Sequence, residues 1–216
     1  AERIVVEYPQ LQLRGAVRRP IMLRVLHVTD LHLTTRSPLL EQLVDLAGGL
    51  QYDLALIGGD LADSLAGREL SLEFLRALRA PLGAFAVPGN HDRFYYSLFD
   101  TIRSTINEPF GGPISKGKFV SLNGFDARMA GAGARLLRNE SVCLSLDGGE
   151  LWLIGIDDEH TCFDDLPAAM EGVPAGAARL AFTHSPDIFP QAADAGMPLL
   201  LAGHTHGGQV VLPIVG

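Results

Sequence analysis

Short apolar runs that each stop at a cluster of Asp, His or Asn recur along this chain, and that recurrence restricts how it can fold. The clusters are Asp30-x-His32, Gly59-Asp60, Gly89-Asn90-His91-Asp92, a lone His184, and Gly203-His204-x-His206. Each run has the length and branched or aromatic content of a buried strand. The polar residues therefore fall where strands give way to loops, the edge at which α/β sheets build their sites.

Between the runs the period changes. Residues 39–47 place apolar side chains at 39, 40, 43, 44 and 46, a helical spacing, with Ser37-Pro38 suited to cap it. Residues 68–79 put Leu70, Phe74, Leu75 and Leu78 on one helical side. Strands over 22–28, 53–57 and 84–87 alternate with these helices, the signature of parallel βαβ units. From 103 to 141 scattered Gly and Pro predict an irregular excursion. Strands return over 150–156, 179–183, 198–202 and 209–212, which predicts a second half-sheet. The fold expected is α/β, a two-sheet β-sandwich flanked by helices. With 216 residues and 47% hydrophobic composition, one domain can bury a sizeable core.

Charge narrows the partners. The formal charge is −8 and only Lys116 and Lys118 are lysines, which argues against nucleic acid, since duplex affinity comes from neutralising phosphates. A phosphorylated small molecule remains compatible, because bound metals outweigh distant carboxylates. Cys143 and Cys162 have no metal-ligand spacing and read as two part-buried free thiols. No run reaches the roughly 18–20 apolar residues of a transmembrane helix. The chain begins on Ala1 and stops on Gly216, and both ends read as cuts. Arg14, Arg18, Arg19 and Arg24 would suit a juxtamembrane position, so peripheral membrane association stays open, although solvated surface is the commoner use.

The clusters together supply carboxylate, amide and imidazole groups in the number two divalent ions need. Taken singly each has a plainer reading: Asp30 a helix cap, Gly59-Asp60 a turn, Asn90-His91-Asp92 a polar turn, His184 a core histidine. Five of the seven histidines fall in these clusters, so the metal reading is preferred for the set. A two-metal hydrolase holds its ions ~3.5–4 Å apart across a carboxylate bridge. Asp60, with room left by Gly58 and Gly59, suits the bridge. One ion would take Asp30, His32 and one of the last two histidines; the other would take Asn90, His184 and the remaining one. Mixed imidazole and oxygen donors suit Mn, Fe or Zn better than Mg. Such ions lower the pKa of a bound water so that hydroxide attacks phosphorus. His91 is the candidate acid for the leaving group and Asp92 the candidate to orient it.

The ordered set, with the tail Gly203-His204-Thr205-His206-Gly207-Gly208-Gln209 and the upstream Ala181 to Asp187 segment, resembles the calcineurin-like metallophosphoesterase superfamily, in one bacterial branch. The resemblance spans roughly residues 21 to 212. It implies a four-layer αββα fold and a dinuclear metal centre. It further implies one metal on Asp30, His32, Asp60 and His206, a second on Asp60, Asn90, His184 and His204, and His91 as catalytic acid. It implies hydrolysis of a phosphodiester or pyrophosphate in a small-molecule or lipid-linked substrate, with no protein partner indicated. Residues 1–20 then read as a lead-in following a membrane or export segment, and 21–216 as one metallophosphoesterase domain cut short at its C-terminus. The setting implied is a bacterial cytoplasm or membrane surface, with export left open. The alternative is a non-catalytic metal-binding scaffold or binding protein of the same fold.

Other residues were weighed alongside these. His27 lies within the first strand and reads as a core histidine. His160 sits among Asp157, Asp158, Glu159, Asp164 and Asp165, which read as a solvated loop, with a loop edging the site as the weaker alternative. Arg93 could bind a substrate phosphate or lie on the surface. Tyr95, Tyr96 and Phe99 read as the packing face of a short helix. Ser185 lacks a nearby base and orienter, which speaks against a serine hydrolase.

Overall fold

The computed structural model describes residues 4–13, 20–96 and 117–206. Its first sheet is entirely parallel, in the order β1 (Val25–Val28), β2 (Leu54–Ile57), β3 (Ala84–Ala86) and β6 (Ala134–Leu136). Its second runs β10 (Leu200–Leu201), β9 (Ala178–Phe182), β8 (Gly149–Gly155) and β7 (Glu140–Leu146). There only the β7–β8 pair is antiparallel, joined by a tight turn at Asp147-Gly148. A two-stranded ribbon pairs β4 (Phe94–Tyr95) with β5 (Lys118–Phe119).

The strands sort their side chains by parity, as a pleated backbone must. In β2, Leu54 and Leu56 face the second sheet, while Ala55 and Ile57 join the helix side. Phe85, Leu153, Leu180 and Phe182 share the inter-sheet core with them. Helices α1 (Pro38–Gly49), α2 (Leu65–Ala77) and α4 (Phe125–Gly131) cover the first sheet through Leu40, Phe74, Leu75 and Met129, and the one-turn α3 (Asn90–Arg93) follows β3. The short helix α5 (Leu166–Ala169) and Ile188, at the start of α6 (Phe189–Asp194), cover Ile154, Ile156 and Ala181 on the outer side of the second. The result is helix, sheet, sheet, helix, as expected from the sequence.

Local chemistry sets the helix starts. Ser37 accepts a hydrogen bond from the Leu40 N–H with Pro38 in the first turn, and Ser64 accepts one from the Gly67 N–H. Three expectations need correction. The excursion is partly ordered, because α4 and β6 fall within it and β6 extends the first sheet. Tyr95 lies in the β4 ribbon rather than on a helix, since its neighbour Phe94 pairs with Phe119. Both cysteines are free but exposed rather than part-buried. Phe99 and the strand expected over 209–212 lie outside the described residues.

Candidate metal centre

The C-terminal ends of β1, β2, β3, β9 and β10 converge on one edge of the sandwich. Past β1 and β2 the ladder continues into the loops: the Asp30 N–H donates to Gly59 O at 3.1 Å and His32 N–H to Asp60 O at 2.9 Å. The second sheet extends likewise, the Gly203 N–H donating to His184 O at 2.9 Å, and it is tied to the first by the His204 N–H, which donates to the Asp30 carboxylate at 3.0 Å. Close approach demands glycine at two places. A side chain on Gly59, at φ 89°, would stand 2.6 Å from Gly89 N, and one on Gly203 would overlap Thr29 and Asp30.

Backbone strain concentrates here. Among the described residues, seven non-glycine residues have positive φ, and five of them are Asp30, His32, Asp60, His204 and His206. Left-handed backbone costs an L-residue free energy, and persists where the surroundings over-determine it.

Among the described residues three groups of candidate ligand atoms result, each gathered within 4.8 Å: a first of Asp30, His32 and His206, a second of Asp60, His184 and His204, and a third of His32, Asp63 and His91, of which the first two consist of expected ligands. His32 Nε2 faces His206 Nε2 at 3.1 Å, and His184 Nε2 faces His204 Nδ1 at 3.1 Å and Asn90 Oδ1 at 3.0 Å. Donors held ~2.0–2.1 Å from one metal stand about 2.9–3.4 Å apart in octahedral or tetrahedral shells. The donor set and its spacing therefore fit divalent ions. Asp60 lies between the groups: its Oδ2 is 3.6 Å from His32 Nε2 and 3.3 Å from His184 Nε2. Its other oxygen accepts the His91 N–H at 2.8 Å. One oxygen is thus held by backbone and the other is presented to both groups. All seven candidate ligands lie in this one assembly.

Hydrogen bonds fix the imidazole tautomers. Gly58 O can only accept, so His184 carries hydrogen on Nδ1, 2.8 Å away, which turns Nε2 toward the second group. A single oxygen of Asp63 faces two rings, His32 Nδ1 at 3.0 Å and His91 Nδ1 at 2.7 Å. A carboxylate also only accepts, so both rings carry hydrogen on Nδ1. Nε2 of His32 is then free for the first group, and Nε2 of His91 is free to handle a proton.

Electrostatics follow the same contacts. Burial tends to raise the Asp60 pKa, but His184, His91 and His32 hold it below the usual carboxylate range. Burial likewise opposes ionisation of Asp63, and its contacts with His32 and His91 keep it well below that range. For His184 burial disfavours the cation, yet Asp60, with Asp158 and Gly58 O, raises the pKa to about 9. Burial, then His184 and His160, lower His204 to about 4, so it stays neutral.

Two sequence assignments are corrected. Asp92 does not orient His91: its carboxylate accepts the N–H groups of Asp60, Leu61 and Gly89 at 2.9–3.0 Å, so it shapes the bridge loop. Burial, then the charge of Asp60, raises its pKa to about 6. Asp63 takes the orienting position, and sequence reading missed it. Its signal was available as a carboxylate three residues after Asp60 at the same strand end. Arg93 is neither exposed nor positioned for substrate; it is buried, ion-paired with Asp157, and its guanidinium lies 4.1 Å from the Phe163 ring centroid. The acidic loop is corrected too. Asp157 and Asp158 are buried, and the His160 ring lies 4.8 Å from the His204 ring, so the loop edges the site. His27 is half-buried in β1 and its pKa is lowered by burial, in line with a core histidine.

A family model described as calcineurin-like phosphoesterase matches residues 23–208. The chain is 30% identical over 201 residues to the uncharacterized metallophosphoesterase YkoQ of Bacillus subtilis, covering 88% of this chain and 63% of that protein. It is 29% identical over 199 residues to phosphodiesterase YaeI of Escherichia coli, covering 89% and 64%. With the UDP-2,3-diacylglucosamine pyrophosphatase LpxG of Chlamydia trachomatis serovar D it shares 25% over 224 residues, covering 88% and 65%. The chain thus spans a little under two thirds of the length of these relatives. Among the described residues no helix is long and apolar enough to cross a membrane. A match covering most of the chain, together with the fold built above, makes this a member of the calcineurin-like phosphoesterase family, a family of metal-dependent phosphoester hydrolases.

Proposed function

We propose that this chain hydrolyses a phosphodiester or pyrophosphate bond in a small-molecule or lipid-linked substrate. The observation that carries the reading is Asp60 Oδ2, which stands within 3.6 Å of a ring nitrogen from each ligand group while Oδ1 is held by backbone. Asp30, His32, Asp60 and His206 would hold one divalent ion, and Asp60, Asn90, His184 and His204 the other. Bound there, the ions would supply Lewis-acid stabilisation of phosphoryl charge and an acidified water. Mn, Fe or Zn suit the imidazole-rich set better than Mg.

The chain's own residues do the rest. Asp30 is oriented by Thr29 Oγ1, which donates to Oδ2 at 2.7 Å, and by the His204 N–H. That leaves Oδ1 toward His206 Nε2, 3.6 Å away. Asp92 holds the bridge loop through three N–H groups. Asp63 fixes His91 at Nδ1, so a proton on Nε2 can pass to the departing oxygen. The curated relatives named phosphodiesterase and pyrophosphatase support the choice of bond.

The test is hydrolysis of bis-p-nitrophenyl phosphate against p-nitrophenyl phosphate after loading with Mn, Fe, Zn or Mg in turn. Cleavage of the diester is expected, with one preferred metal. His91→Gln should keep both ions while slowing turnover roughly 100-fold or more, and Asp63→Asn should keep them while slowing it roughly 10–100-fold. Loss of an ion in His91→Gln would make His91 a ligand and end its assignment as acid.

A further inference from the structure

The loop after β8 is built more firmly than an acidic surface loop requires. Asn139 clamps it at three points: its Oδ1 accepts the Asp157 and Asp165 N–H groups at 2.9 and 3.0 Å, and its Nδ2 donates to Phe163 O at 2.8 Å. Asp158 accepts the Thr161 N–H at 3.1 Å, and its carbonyl takes the Thr161 hydroxyl and the Phe163 N–H. The buried Arg93–Asp157 ion pair ties the loop to the segment that carries Asn90 and His91. Of the seven non-glycine residues with positive φ among the described residues, the two outside the ligand groups are Asn139, which clamps this loop, and Cys162, which lies within it.

What the loop presents is His160. Its ring centroid lies 4.8 Å from that of His204, and it is half-buried. Yet His160 does not join the cluster formed by Asp60, His184 and His204. It is a ring beside the second ligand group rather than part of it. His91 flanks the first group, its ring 4.5 Å from that of His32, although it is also tied to His32 through the shared Asp63 oxygen. Each group therefore has one accompanying imidazole. On the same loop, Asp158 Oδ1 is buried without a hydrogen-bond partner among the described residues, and His184, His160 and Asp60 are among the groups whose charges act on it. The loop's interior side thus faces the centre.

We propose that His160 is a specificity-determining residue that donates a hydrogen bond to an anionic phosphoryl oxygen of substrate seated at the second ligand group, with the clamped loop holding it there. The inference rests on the two-ion reading above. An imidazole N–H aimed at a phosphoryl oxygen is a charge-assisted bond, and its removal weakens binding roughly 10-fold or more.

The experiment uses the full chain loaded with its preferred metal, and compares wild type, His160→Ala and His160→Gln. Metal content is measured first, then inorganic phosphate affinity by calorimetry, then KM and kcat on the p-nitrophenyl esters. Two ions are expected in all three proteins. Phosphate binding should weaken roughly 10-fold or more in the alanine variant and recover in the glutamine variant, which keeps a donor. KM should move with it more than kcat. Unchanged phosphate affinity in His160→Ala overturns the proposal, as does a glutamine variant no better than alanine. Loss of one ion makes His160 a ligand and overturns it differently. A wild-type chain that takes up no ions defeats the two-ion reading itself and the inference with it, whereas one that takes up two ions but binds no phosphate overturns the inference alone.

Discussion

The two ligand groups share a bridging carboxylate but not an environment. Asp60 and His184 are buried, and His184 is locked to Gly58 O. In the other group Asp30 and His32 are partly open and His206 is exposed. The buried group is preformed by the strand ends and the sheet-to-sheet contact. The open group depends on a histidine at the margin. Two ions in one site can therefore differ in how firmly they are held, because preorganisation and solvent access differ while donor chemistry is similar.

The sharpest way to break that comparison is at its shared member. Asp60→Ala should remove both ions, with activity falling by more than the roughly 10–100-fold typical of losing an outer partner. Metal analysis that still found two ions would end the bridging assignment. Next in size, His184→Ala should empty the buried group, whereas His206→Ala should leave it filled and weaken the open one by at least roughly 10-fold. A chelator titration of wild type should likewise release one ion before the other. Simultaneous release would show that the groups behave as a single unit.

The smallest effect concerns the chelator-treated chain. There burial disfavours the His184 cation, but Asp60, Asp158 and Gly58 O together raise its pKa to about 9 from 6.5. Its contribution to stability is fully present below pH 6.5 and is lost as pH rises toward 9. The thermal midpoint should fall across that window, by an amount reflecting at most roughly 3 kcal/mol. Asp92, at about 6, titrates below it. A flat profile, or the same slope in His184→Ala, would remove His184 as the cause.

Legibility in the sequence followed how local each cause was. The strand ends could be read because apolar runs stop abruptly at Asp30, Asp60, Asn90 and His204, and the caps at Ser37 and Ser64 lie beside the helices they start. Asp63 escaped notice because its partners, His32 and His91, are 31 and 28 residues away. Arg93 was misread for the same reason, since its partner Asp157 is 64 residues distant. The β6 strand was hidden by neighbouring glycines, and only pairing with β3 makes it a strand. The acidic loop misled because five carboxylates in nine residues suggest solvent, whereas Asn139, from another turn, folds two of them inward.

The contact between the two sheets has a mechanical meaning. His204 reaches Asp30 and His184 reaches Gly58, so donors from one sheet are spaced by the other. Leu54, Leu56, Leu153 and Phe182, packed out of water between the layers, act as the jig that sets that spacing. Sliding of the layers by a fraction of an ångström would detune the distances at the rim well before the chain came apart. A cavity cut into this interior would therefore register first as slackened ion retention, far from any residue that touches an ion.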